Sequence, residues 1–106
     1  MAVSVARHYV MLAGEGKAEA LAAALEALAQ AVRALPGCLS VEGLVDVDQA
    51  ERFIFIERWE SLEAHKSAGA LLPKALMAPV MASLAQKPEG SYLKPLAGVS
   101  PGEGAP

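Results

Sequence analysis

The period of the apolar positions changes along the chain, and each change marks a predicted element. Residues 3–12, VSVARHYVML, are rich in Val and Tyr and predict a strand. Alternation puts Val3, Val5, Tyr9 and Met11 on one face and Ala6, Val10 and Leu12 on the other. AGEG, residues 13–16, is a turn in which the glycines supply a permissive backbone. Leu21, Leu25, Leu28, Val32 and Leu35 then recur at steps of four and three, the stripe of an amphipathic helix, with alanines filling much of the rest. Pro36-Gly37 ends it. Residues 38–48 predict a second strand with Leu39, Val41, Val45 and Val47 on one face, and the interior Gly43 suggests a bulge or a close approach. Residues 51–59 predict a third strand, forming an antiparallel hairpin with the second. Ser61 caps a helix that carries His65 and ends near Gly69. Leu72, Leu76, Val80 and Leu84 predict a second helical piece, with Pro73 in its first turn and a kink or break at Pro79. Residues 91–96, SYLKPL, predict a short last strand, with Pro95 making it an edge or marking its end.

Strand, helix, strand, strand, helix, strand is the order of a ferredoxin-like α+β sandwich, βαββαβ, here a domain over residues 1–96 followed by a flexible tail over 97–106. Such a sheet carries its helices on one face. On the third strand Phe53, Phe55, Glu57 and Trp59 alternate with Arg52, Ile54, Ile56 and Arg58, so both faces are apolar in the middle. Two helices cover one face only. Leaving the other in water would expose an apolar patch larger than soluble monomers tolerate, so a homodimer packed sheet against sheet about a two-fold axis is expected.

Composition narrows the picture. A chain of 106 residues, 54% of them hydrophobic, is one folded domain. Its net charge of −3 and scattered basic residues give no face for a nucleic acid. No apolar run is long enough to span a membrane, and Arg7 and His8 interrupt the only N-terminal stretch that could resemble a signal peptide. One cysteine, Cys38, builds no disulfide framework and reads as packing, which fits a reducing cytoplasm. Two histidines without metal-ligand spacing assemble no standard metal site, and there is no GxGxxG motif and no P-loop.

Three segments in order, GEGKAEAL before the first helix, LPGCL after it and ERWESLEAHKS from the third strand into the next helix, resemble the antibiotic biosynthesis monooxygenase family. The resemblance covers about residues 3–96. It implies a dimeric αβ-barrel, with the two sheets packed face to face and a pocket in each subunit between sheet and helices. The family is chemically mixed. Its members oxygenate aromatic polyketide quinols with dioxygen alone, oxidise small quinols, degrade heme, or isomerise or bind small signalling molecules. The tryptophan that lines the pocket of polyketide oxidisers falls on Trp59, and their polar ring six residues later falls on His65. A polar side chain that some oxygenases carry four residues before the tryptophan falls on Phe55, which forms no hydrogen bond, and a second histidine of many relatives falls on Ala70. The asparagine of heme degraders falls near Tyr9 or Arg7, and residues 66–90 hold no ligating histidine, which disfavours heme degradation.

The expected function is therefore a cofactor-independent monooxygenase or quinol oxidase acting on a small phenol or quinol. The alternative is an isomerase or small-metabolite-binding protein on the same fold. His65 is the candidate general base, because an imidazole titrates near neutrality. Trp59, Tyr9, Phe55, Met77 and Met81 are the candidate substrate-binding wall. Glu57 is expected to pair structurally with Arg7, and His8 to point toward the dimer partner.

Overall fold

The structure, a computed structural model, describes residues 4–99. It consists of β1 (Val5–Leu12), α1 (Ala18–Arg33), β2 (Cys38–Val45), β3 (Arg52–Trp59), α2 (Leu62–Gly69), α3 (Lys74–Ala82) and β4 (Glu89–Leu93). The strands form one antiparallel sheet in the order β2-β3-β1-β4, the topology of a ferredoxin-like α+β fold. Val3 and residues 100–106 of the expected tail lie outside the described residues. Among the described residues no helix is long and apolar enough to cross a membrane.

The periodic stripe packs as expected. Leu21, Leu25, Leu28 and Val32 of α1 are buried against Met11, Phe53, Phe55, Trp59 and Val41 of the sheet, and Ala68 of α2 and Val80 of α3 complete the same core. Gly37 turns the chain after α1 with φ +85°, and a Cβ there would sit 2.7 Å from the Cβ of Ala64. The glycine is thus required both by its backbone conformation and by the close approach of α2. Ser61 caps α2, its hydroxyl accepting from the Ala64 amide at 3.0 Å.

Several local expectations are corrected. The second strand ends at Val45, because the Asp46 carboxylate accepts the Asp48 and Gln49 amides and folds the chain into a turn. The register break in β2 lies between Cys38 and Ser40, not at Gly43. Of Leu39, Val41, Val45 and Val47, only Val41 is buried, because the bulge, the turn and the edge position of β2 expose the others. The last helix runs Lys74–Ala82 and continues through Pro79 without a break, and Pro73 is its N-cap residue rather than part of its first turn. The missing Pro79 amide takes out one internal hydrogen bond of a short helix that its buried Val80 anchors to the core. β4 starts two residues earlier than expected, at Glu89, and Pro95 lies beyond its end on an edge strand.

All three helices contribute to a core on one sheet face. The other face presents Val10, Leu12, Ile54 and Ile56, each only partly buried, and Leu44 and Leu93, both exposed. His8 lies on this face, paired with Ile56 across to β3.

Candidate active site

Strand alternation delivers the chemistry to the helix side. The pairs Tyr9–Phe55, Arg7–Glu57 and Val5–Trp59 place three rows of β1 and β3 side by side on that face, and β4 adds Tyr92 opposite Arg7. α2 starts immediately after β3, and the Ser61 cap sets its direction. His65, one turn into α2, therefore folds back over Glu57 and Trp59.

Between the sheet and the helices lies a cavity of about 300 Å³. Its lining includes all six residues expected of the site: His65, Trp59, Tyr9, Phe55, Met77 and Met81. Leu28, Val32, Leu72 and Val80 make it largely apolar, and Glu57 brings a second ionisable group to its wall. A larger groove of about 420 Å³ runs along α1 beside β2, but its polar side chains are Glu26, Gln30 and Arg33, with no base set against an aromatic wall. The chemistry is concentrated in the smaller cavity.

Trp59, Glu57, His65 and Tyr92 follow one another along the cavity wall and just beyond it. The Trp59 indole N–H donates to Glu57 Oε1 at 2.9 Å. The same oxygen stands 3.7 Å from His65 Nε2. On its other side His65 Nδ1 meets the Tyr92 hydroxyl at 2.9 Å. The imidazole packs edge-on against both Trp59 and Tyr92, with ring centroids 5.3 Å apart in each case. Arg7 does not form the expected ion pair with Glu57. Its guanidinium lies over the rings of Tyr9 and Tyr92, 4.7 and 4.2 Å from their centroids, and its buried Nε has no partner. Gly90 makes room for it, since a Cβ there would sit 2.6 Å from Arg7 Nη2. Glu57 is held instead by Trp59, which lies beside it on the same strand face and reaches it with a short N–H.

Burial governs the ionisation of these groups. Desolvation lowers the His65 pKa below its ordinary value, and the positive charges of Arg7 and Lys66 lower it further. A lowered pKa favours the neutral imidazole at pH 7, which carries one N–H and one lone pair. Desolvation raises the Glu57 carboxyl, against the Trp59 hydrogen bond and the Arg7 charge, which both lower it. It also raises the Tyr9 phenol, which keeps its proton at neutral pH. The same cause raises the Cys38 thiol, which is consistent with a packing role.

Sequence reasoning missed Tyr92. It stands on the last, edge strand, and only the pairing of Arg7 with Tyr92 brings its hydroxyl to His65. No local pattern marks that contact. Among the described residues, no three His, Cys, Asp or Glu side chains gather into a metal-binding group.

Trp59 belongs to the core and lines the cavity. It is 1% exposed and is also the donor that satisfies Glu57. Trp59→Phe is expected to destabilise the fold by about 1–3 kcal/mol in urea unfolding, because it leaves a buried acceptor unsatisfied and removes packed ring area.

A family model described as antibiotic biosynthesis monooxygenase matches residues 5–69, more than half of the chain. No curated protein matches the chain in sequence. Among solved structures, PA3566 from Pseudomonas aeruginosa is 28% identical with a TM-score of 0.80, covering 92% of this chain and 98% of that one. Rv0793 from Mycobacterium tuberculosis is 26% identical with a TM-score of 0.78, covering 92% and 99%. SnoaB, a cofactor-independent oxygenase from Streptomyces nogalater, shares the fold, with a TM-score of 0.81 at 16% identity over 92% of this chain and 98% of that one.

Proposed function

The chain belongs to the antibiotic biosynthesis monooxygenase family, and from that premise we propose that it is a cofactor-independent oxygenase or quinol oxidase acting on a small aromatic phenol or quinol. The observation that carries this reading is the neutral His65 imidazole set against Trp59 in an otherwise apolar cavity. A planar substrate stacks along Trp59 and Phe55, with Met77 and Met81 adapting to its shape. Tyr9 donates to an oxygen of the ring. His65 takes the proton of a ring hydroxyl, and the anion left behind passes one electron to dioxygen. Superoxide and the substrate radical then combine into a hydroperoxide, which loses water to leave a carbonyl. With a quinol, transfer of a second electron and proton instead gives quinone and hydrogen peroxide. The substrate supplies every electron, and the protein supplies a base, an aromatic wall and a dry site. The likeness to a cofactor-independent oxygenase supports this reading at the level of fold.

The working unit we propose is a homodimer joined through the bare sheet face, acting in the cytoplasm, where a lone unreactive thiol such as Cys38 is at home. The test of function is oxygen uptake by the purified protein with a panel of reduced quinols and polycyclic phenols. Uptake above the enzyme-free rate is expected for at least one of them. None across the panel would overturn the oxygenase reading and direct the search to isomerisation or metabolite binding.

The pH dependence follows from the sign of the His65 shift. The base works when neutral, and its pKa is lowered, so activity persists as pH falls through the ordinary imidazole value and is lost only below it. The acid limb of kcat/KM is expected to lie below about pH 6.5, the unperturbed histidine value. Arg7→Met, which removes one cause of the lowering, moves the limb upward. A limb at or above that value in the wild type contradicts His65 as the base.

A further inference from the structure

We propose that Glu57 is a positioning residue that fixes the tautomer of His65, placing the ring hydrogen on Nε2 and the lone pair on Nδ1. The inference deepens the proposed site and rests on His65 being its base. A neutral imidazole carries one N–H and one lone pair, and the surroundings decide which nitrogen holds which. Tyr92 does not decide it. Its hydroxyl, 2.9 Å from Nδ1, both donates and accepts, and so satisfies either tautomer.

Glu57 breaks the tie. Its Oε1 receives the Trp59 N–H at 2.9 Å, so this oxygen presents lone pairs whether the carboxyl is ionised or carries a proton on its other oxygen. His65 Nε2 faces the same oxygen at 3.7 Å, too far for a hydrogen bond but close for electrostatics between two side chains that are both largely buried. A lone pair on Nε2 would meet the lone pairs of Oε1 and be repelled, whereas an N–H there is attracted. The other charges acting on His65, Arg7 and Lys66, are both positive. They disfavour the imidazolium and add no acceptor to compete with Oε1. The proton-accepting atom is thus Nδ1, on the β4 side, where it faces the Tyr92 hydroxyl, so a substrate proton reaches it by way of that phenol, which gives its own proton to Nδ1 and takes the substrate's in exchange.

The test is a long-range proton–nitrogen NMR spectrum of the full, uniformly nitrogen-15-labelled chain at mildly alkaline pH. His8 is the only other histidine, so His8→Gln assigns the signals. The wild type is expected to show a protonated Nε2 and an unprotonated Nδ1. Glu57→Gln keeps the acceptor oxygen and should keep this pattern, as should Tyr92→Phe. Glu57→Met removes the acceptor and should reduce the Nε2–H excess several-fold. Where that variant does not fold, Glu57→Met combined with Trp59→Phe removes donor and acceptor together and leaves no orphaned buried group. A wild-type His65 with its hydrogen on Nδ1, or a methionine variant with the wild-type ratio, overturns the inference. None of these readouts uses turnover. Absent oxygen uptake would sink the oxygenase reading and leave the tautomer assignment standing, and a reversed tautomer in an active enzyme would do the opposite.

Discussion

His65→Ala is expected to lower kcat/KM for quinol oxidation by roughly 10²–10⁴-fold, the range that a positioned general base contributes. The loss should fall on kcat and leave KM nearly unchanged. The stacking wall of Trp59, Phe55 and the methionines does not depend on the imidazole, so the substrate still binds. What disappears is the acceptor for the ring hydroxyl proton. Without it only the small fraction of substrate already ionised in solution donates an electron to dioxygen, so the variant's rate should climb with pH where the wild type's is flat. His65 is partly exposed and lies at the edge of the core rather than within it, so the alanine variant should fold. The measurement is oxygen uptake under pseudo-first-order conditions, with circular dichroism as the control for folding. A well-folded variant within a few-fold of the wild type would remove His65 from the mechanism. Trp59 would then be left as a wall without a base.

The residues differ in how far their positions can be read from the sequence, and the differences have physical causes. Trp59, Phe55, Tyr9 and Met11 are placed by strand alternation, because a strand has a fixed period of two and one buried face sets the register. His65 is placed by a cap, since Ser61 fixes where α2 begins and one helical turn carries the imidazole back over the strand. Both are local rules that the sequence states directly. The Arg7–Glu57 ion pair fails because it rests on charge alone. The two residues are neighbours across β1 and β3, yet the flat guanidinium takes the faces of Tyr9 and Tyr92, while Glu57 is claimed by the indole beside it. Tyr92 is legible only after β4 is paired with β1, a contact between distant parts of the chain that leaves no periodic trace. Val47 is misread for a third reason: it continues the apolar alternation of β2, but the Asp46 turn ends the strand before it.

Ile54→Asp is expected to convert a dimer into a monomer without unfolding it. On the bare face Ile54 and Ile56 of β3 lie beside Val10 and His8 of β1, with Leu44 on one flank and Leu93 on the other. Charged Arg52, Arg58, Glu42 and Glu89 occupy the margins of the same face. An apolar centre with a charged rim is the anatomy of a protein interface, and one sheet face meeting its own copy buries the centre twice. A two-fold axis also doubles the effect of one substitution, because each dimer then carries two carboxylates in a dry contact. Burying an unpaired charge costs several kcal/mol after relaxation, and each 1.4 kcal/mol is a factor of ten in affinity, so association should weaken by at least about 10²-fold. The monomer is spared, since Ile54 is only partly buried in the single chain and its removal opens no cavity beneath α1. Sedimentation velocity across a concentration series measures the first claim, and thermal unfolding monitored at equal protomer concentration measures the second. A wild type that sediments as a monomer, or an Ile54→Asp variant that remains a dimer, would refute this interface. If the variant is monomeric but retains full oxygen uptake, the cavity between sheet and helices is complete within one chain, and the sheet-to-sheet contact serves to cover the apolar face rather than to build the site.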